Sequence, residues 1–253
     1  MVLQKKGRVE IIQELTGMKK GKFFVFEGLD GSGKSTQAKL LAEALKNRGY
    51  QVEKIDFPQY GKKSAGLIEN YQTGIYGTSQ DVGPYRGSIF YAVDRYDFSF
   101  KIKQWLKEGK IVVSDRYVVS NIGHQGGKII KNKKEWRKYV NWLYDLEYNI
   151  FGIPKPDYNF ILKISSELSM KMSNKITDSE KQKKRASYLG DHTKQDIHEA
   201  DKEHLINTHK SYMAIAKLFP DEFQIVECQV GNNFLPPEKI HKKVLKLVLN
   251  EIK

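Results

Sequence analysis

Apolar positions along the chain follow two rhythms. The first is a set of short, near-continuous runs: Phe23–Glu27, Gln51–Phe57, Ile111-Val112-Val113, Tyr158–Leu162 and Phe223–Cys228. Runs of this length, bounded by Gly, Pro or Asp, read as buried strands. The second is a helical stripe. It carries Leu40, Leu41, Ala44 and Leu45 over 34–48, closed by Gly49, and Trp136, Val140, Leu143 and Leu146 over 133–150. Further helices are predicted over about 65–72, 84–108, 200–218 and 236–253, the long one starting at Pro84, where proline suits a first helical position. Buried strands alternating with helices imply right-handed βαβ units, hence an α/β fold with a parallel five-stranded sheet and helices on both faces.

Two segments stand outside that rhythm. Residues 1–20 hold Val9, Ile11, Ile12 and Leu15 at loosely helical spacing, and Met18 makes a natural start for the main body. The expected organisation is an N-terminal extension (1–17) and one domain (18–253). Residues 165–195 are polar and lysine-rich.

The most informative stretch joins the first strand to the first helix. Gly28-Leu29-Asp30-Gly31-Ser32-Gly33-Lys34-Ser35-Thr36 meets the pattern G-x-x-x-x-G-K-[ST]. Gly28, Gly31 and Gly33 can adopt backbone angles that turn consecutive N–H groups, including that of Ser32, into one hollow. The helix N-terminus behind adds partial positive charge. Lys34 can reach the outer phosphates of a nucleotide, and the Ser35 hydroxyl can ligate Mg²⁺. The bland alternative is a βα turn that binds nothing; the strand before and helix after favour the phosphate-binding reading. A second candidate is Val112-Val113-Ser114-Asp115-Arg116-Tyr117. An acid at the carboxyl end of a buried strand sits where open α/β sheets bind ligands. Asp115 can help hold Mg²⁺, and Arg116 can neutralise a transferring phosphoryl group. The alternative is a structural Asp–Arg pair.

Composition narrows the setting. The formal net charge is +13, which favours anionic partners, although lysines spread over solvated faces account for much of it. One cysteine, Cys228, excludes an internal disulfide and suits a cytoplasmic location. No apolar run is long enough to span a membrane. His192, His198, His204 and His209 lack the spacing of a zinc site. No basic motif interleaved with aromatic residues supports specific nucleic-acid binding.

Taken in order, the motifs resemble the thymidylate kinase family. They are Phe26 to Gln37, Phe57-Pro58, Tyr91-Ala92-Val93-Asp94-Arg95, Asp115 to Asn121 with His124-Gln125, Pro154-Lys155-Pro156-Asp157, and Asp196-Ile197-His198-Glu199. The resemblance implies a P-loop kinase fold that moves the γ-phosphoryl of ATP to dTMP with Mg²⁺, commonly as a homodimer. It implies that Tyr91 stacks on the base while Arg95, one helical turn on, donates to thymine O4. Asn121 and Gln125 would contact the base, Asp30 the sugar 3′-hydroxyl, and Phe57 would wall the monophosphate pocket. Arg116 would serve catalysis or the substrate phosphate.

Three positions depart from the family. Near Phe57-Pro58 stand Gln59, Lys62 and Lys63 rather than an arginine; His124 replaces an aromatic residue near the sugar C2′; Gly31 stands where some members carry a catalytic arginine. The missing charge is expected from a mobile lid at about 168–195, with Arg185 its only arginine among Lys171, Lys175, Lys181, Lys183 and Lys184. Two other readings stay open: a kinase for another nucleoside or its monophosphate, and a GTP-dependent switch. The second is disfavoured, because Asn174-Lys175-Ile176-Thr177 lacks the acid of a guanine-reading Asn-Lys-x-Asp.

Overall fold

The computed structural model describes residues 20–173 and 202–252. The extension 1–17, most of the expected lid and Arg185 lie outside the described residues.

Five parallel strands form one sheet in the order β2-β3-β1-β4-β5: β1 Lys22–Glu27, β2 Val52–Asp56, β3 Ile111–Asp115, β4 Tyr158–Lys163 and β5 Phe223–Glu227. Strand β1 is central and nearly all buried, so its alternation serves two cores at once. Phe23 and Val25 enter one cluster with residues of α3 (Ser79–Lys107), α4 (Val118–Gly127), α5 (Lys133–Tyr144) and α7 (Lys202–Leu218). Phe24 and Phe26 enter the other, with α1 (Lys34–Lys46) and α8 (Pro237–Glu251). Each fully buried Leu of that second cluster, such as Leu41 or Leu45, contributes about 1.5–3 kcal/mol relative to exposure. From β1 the chain crosses to one side of the sheet, and from β3 to the other. The carboxyl ends of β1 and β3 therefore meet at a topological switch point, the place where such sheets bind ligands.

The predicted five-stranded parallel sheet is observed, but several helices differ from expectation. The long run of α3 starts at Pro84 as predicted, and a short unpredicted turn, Ser79 to Val82, precedes it, capped reciprocally by Thr78 and Asp81. Gly83, at φ 71°, kinks α3 just before Pro84. The predicted helix over 133–150 regularises only to Tyr144 and continues as a π-helical turn, Asp145–Ile150. Short helices α2 (Gly66–Gln72) and α6 (Ser166–Ser173) precede α3 and open the polar segment, respectively. A small hairpin, β6 (Gln229–Val230) with β7 (Asn233–Phe234), follows β5.

Helix α4 was not predicted at all. Its sequence, Val-Val-Ser-Asn-Ile-Gly-His-Gln-Gly-Gly, is poor in helix formers, and tertiary packing overrides propensity. Its glycines let neighbours approach closely: a Cβ on Gly123 would lie 2.5 Å from the Tyr212 ring, and one on Gly127 3.1 Å from the Thr208 backbone nitrogen. The Tyr212 ring is buried and cannot yield cheaply. Gly123→Ala should therefore lower stability by about 1–3 kcal/mol through overpacking. Gly66→Ala, in open space at ordinary helical angles, should be neutral or mildly stabilising. Urea unfolding of the two variants checks this; equal midpoints would show that the α4–α7 seam is not tight.

Candidate functional site

The phosphate loop leaves β1 at Gly28 and enters α1 at Lys34, and Gly28, Gly31 and Gly33 take φ of 136°, 75° and 89°. These are the angles that residues with a Cβ disfavour. Ser32 is buried, and its hydroxyl has no hydrogen-bond partner among the described residues. Lys34 is almost fully buried, and its ammonium donates to Gly28 O at 3.0 Å and Leu29 O at 2.8 Å, with Asp30 at 3.7 Å. Ser35 is half-buried, while Thr36 stands exposed.

Helix α6 sits directly on this loop. Ser169 Oγ donates to Asp30 O at 2.6 Å. A Cβ on Gly31 would fall 2.8 Å from Met172 Cβ, so this position has no room for a side chain while α6 is docked.

Strand β3 ends beside the loop. Asp115 pairs in register with Phe26, and Arg116 N–H donates to Phe26 O at 2.9 Å. Asp115 is buried, and its Oδ1 has no hydrogen-bond partner among the described residues. Arg116 adopts a left-handed conformation, φ 71°, which a side-chain-bearing residue holds only when its surroundings fix it. Its guanidinium pairs with Asp30 across the loop, and Nη1 contacts His124 Nε2 at 3.1 Å. An arginine only donates, so His124 Nε2 accepts and the imidazole proton sits on Nδ1. That nitrogen faces His204 Nε2 of α7 at 3.3 Å.

A buried carboxylate supports this arrangement from beneath. Glu27, fully buried at the end of β1, accepts from Tyr117 N at 2.8 Å, Ser120 N at 3.1 Å, Ser120 Oγ at 2.6 Å and Tyr212 Oη at 3.2 Å. It thereby supplies the cap that Tyr117 itself does not give α4. Burial raises its pKa above the ordinary carboxylate range; the Ser120 hydrogen bond and Arg116 pull the other way.

The residues expected to contact the acceptor fall mainly along the seam between α3 and α4. Asn121 Nδ2 donates to Ser88 O at 3.1 Å. Gln125 is buried with no hydrogen-bond partner for Oε1 among the described residues, packed where a Cβ on Gly87 would intrude to 2.8 Å. Tyr91 is half-buried; its hydroxyl accepts from Gln72 Nε2 at 3.4 Å, and Gln72 Oε1 accepts from Tyr60 at 2.9 Å. Arg95 is turned inward, its Nε and Nη2 each 2.6 Å from a carboxylate oxygen of Glu147. Phe57 is mainly a core residue, packed against Tyr117 and Phe98. After it, Asp94 pins the turn by accepting from Gln59 N at 2.9 Å and Ser64 Oγ at 2.7 Å, and Lys62 and Lys63 are exposed.

Sequence reasoning missed Glu27, Gln72, Asp94, Glu147 and His204. Two carried a signal: Glu27, an acid closing an apolar strand just before the phosphate loop, and Asp94, which stands inside the Tyr91-to-Arg95 motif.

A phosphate loop at the switch point of a five-stranded parallel sheet, with an Asp-Arg pair on the adjoining strand, defines a phosphate-loop nucleotide-binding enzyme. The particular family follows from comparison. The thymidylate kinase family profile matches residues 26–233, and the chain belongs to that family. A "Probable thymidylate kinase" of Thermococcus kodakarensis is 31% identical over 233 residues, 89% of this chain and 96% of its own. The thymidylate kinase of Plasmodium falciparum is 33% identical over 156 residues, 62% of this chain and 68% of its own. A solved thymidylate kinase structure from Candida albicans superposes with a TM-score of 0.68 at 21% identity, covering 92% of each chain, and so shares the fold.

Lys128, three residues beyond Gln125, anchors the segment that carries the α3 N-terminus. Its Nζ donates to Tyr71 Oη at 2.9 Å and to Ser79 O at 2.7 Å. Burial lowers its pKa to about 7 from 10.5. Between those two values the unfolded chain binds more protons than the folded one, so Lys128 makes stability rise with pH across that window. Relative to Lys128→Met, the wild-type chain should gain stability between roughly pH 7 and 10 in urea unfolding. A stability difference that stays flat over that range would show that the ammonium is not penalised.

Proposed function

We propose that the geometry at the carboxyl edge of the sheet carries the thymidylate kinase reaction, transfer of the γ-phosphoryl group of ATP to dTMP, as follows. The observation that carries the reading is the meeting of three parts at one edge: the phosphate loop, the Asp115-Arg116 strand end, and the α3–α4 seam. Backbone N–H groups of Gly28, Gly31, Ser32 and Gly33, with Lys34, Ser35 and Thr36, cradle the donor phosphates. Lys34 exchanges its loop carbonyls for phosphate oxygens. The orphaned Ser32 hydroxyl supports such a ligand.

The residues present fit Mg²⁺. The buried, unpartnered Asp115 Oδ1 is a hard oxygen donor, and Ser35 supplies a second. When bound there, Mg²⁺ neutralises charge on the donor phosphates. The protein's own task is positioning and electrostatics. Arg116 faces the transferred or accepting phosphoryl group, and Asp30, an acceptor only, takes the sugar 3′-hydroxyl. Tyr91 stacks on the base; Arg95, Asn121 and Gln125 present donors and acceptors to its edge; Phe57 backs the monophosphate turn. The Gly31 contact with α6 supports a catalytic cation arriving from the lid at about 168–195, with Arg185 as the candidate. The body of the enzyme is one domain, 18–253, preceded by the extension 1–17, and it works in the cytoplasm. Among the described residues no helix is long and apolar enough to cross a membrane.

The wild-type enzyme should form ADP faster with dTMP than with dCMP, dGMP or dAMP. Lys34→Ala and Asp115→Asn should each remove most of kcat, by roughly 10²-fold or more, at an unchanged melting temperature. Coupled ADP-release assays on the panel check both. Equal turnover across the panel, or near-wild-type kcat in either variant, would refute the corresponding role.

The homodimer implied by the family has a candidate surface. Ile89, Val93, Tyr96 and Phe100 recur at helical spacing on α3, with Ile89 40%, Tyr96 39% and Phe100 58% exposed, and Phe151 extends the stripe with its ring 5.0 Å from that of Tyr96. A second copy packed isologously would cover it. Phe100→Lys should elute as a monomer on sizing where the wild type elutes as a dimer. An unchanged dimer would place the interface elsewhere.

A further inference from the structure

The Arg95–Glu147 pair is not explained by fold alone. Both side chains are within 2% of full burial, and the contact is bidentate. Burying two charges carries a desolvation cost of several kcal/mol per ion, and apolar replacement of such pairs is often neutral or stabilising. Burial pushes the Glu147 carboxyl up, opposed chiefly by Arg95 itself. A staple between α3 and the π-helical turn after α5 needs no charge. Glu147 is also delivered by an unusual backbone. The π-helical turn Asp145–Ile150, with Phe151 N bonded to Leu146 O at 2.8 Å and Ile153 N to Glu147 O at 3.0 Å, turns it toward α3. Such turns concentrate at functional sites.

The contact uses Nε and Nη2 of the guanidinium. Among the described residues Nη1 makes only a long contact, 3.4 Å, to Tyr117 O at the start of α4. One and two turns further along α4 stand Asn121 and Gln125. We propose that Glu147 is a positioning residue for base selection: by gripping Nε and Nη2 of Arg95 it fixes the guanidinium so that Nη1 alone is offered to the base edge. This rests on the reading of Arg95 as a base contact. A fixed donor favours a carbonyl, as thymine presents at position 4, and rejects the amino group that cytosine presents there. Neutralised by Glu147, Arg95 is also a poor competitor for phosphate.

The test is steady-state kinetics with dTMP and dCMP on three variants, with ATP KM and melting temperature as controls. Glu147→Gln releases the guanidinium but leaves its charge. It should raise dTMP KM about tenfold or more and shrink the dTMP:dCMP preference in kcat/KM, with dTMP kcat and ATP KM changed less than about threefold. Arg95→Met/Glu147→Leu removes both charges. It should fold at least as stably as wild type and lose the same preference, which tests the base contact on which the role rests. Glu147→Asp keeps the charge but shortens the grip, so it tests the positioning role itself if Glu147→Gln fails to fold: it should also shrink the preference, and a wild-type preference there would overturn the role. A wild-type dTMP KM and preference in Glu147→Gln, with loss in the double variant, would overturn the positioning role and leave Arg95 as a base contact. A wild-type preference in the double variant would overturn both.

Discussion

Glu27 is the group on which the site's geometry depends. Its carboxylate lies at the end of the most buried strand, where ionisation is costly, and it is tolerated because four donors converge on it. Those donors belong to Tyr117, Ser120 and Tyr212, so one group ties the central strand to the start of α4 and the middle of α7. Arg116 sits between Asp115 and Tyr117, and Glu27 fixes the latter. The left-handed backbone of Arg116 is therefore held on both sides, by the β1–β3 ladder and by the capped helix. A left-handed arginine is a small strain, of order 1–3 kcal/mol, and the surrounding bonds over-determine it. Without Glu27, α4 would lose its cap, and the residues it presents toward α3 would lose their register.

What was legible in the sequence is what local patterning encodes. Strand β1, the phosphate loop and α1 are local: apolar run, glycine turn and helical stripe all agree, and the structure matches them within a residue or two. Helix α4 was illegible because it forms against propensity. Its glycines are there to let Tyr212, Tyr139 and Thr208 approach, which a one-dimensional pattern reads as a loop. At α3 the strong local signal of Pro84 marks the start of the long run, while the capped turn before it, set by Thr78 and Asp81 and cut off by Gly83, went unread.

The candidate site divides along the same line. Lys34, Asp115 and Arg116 were readable because motif and strand end lie within a few residues of each other. Glu147 and His204 act on partners 52 and 80 residues distant in sequence, Arg95 and His124, and nothing in their own neighbourhoods announces this. The π-helical turn is illegible in principle from apolar period, since it inserts a residue into a stripe that otherwise reads as one helix.

The two arginine–carboxylate pairs differ in a way that assigns them different work. Asp30–Arg116 is 27% and 20% exposed and spans the mouth of the site. Such a pair is reachable from solvent, and under the proposed function an incoming phosphate would replace the Asp30 charge at Arg116 and leave Asp30 to accept from a hydroxyl. Arg95–Glu147 is sealed in the core, and separating it would leave an uncompensated buried charge, a loss of about 3–5 kcal/mol. At that cost the pair is closed in nearly all molecules. Under the proposed function, a pair that opens suits a phosphate, whose charge can replace Asp30, and a pair that stays closed suits a base, which carries no charge and could not replace Glu147.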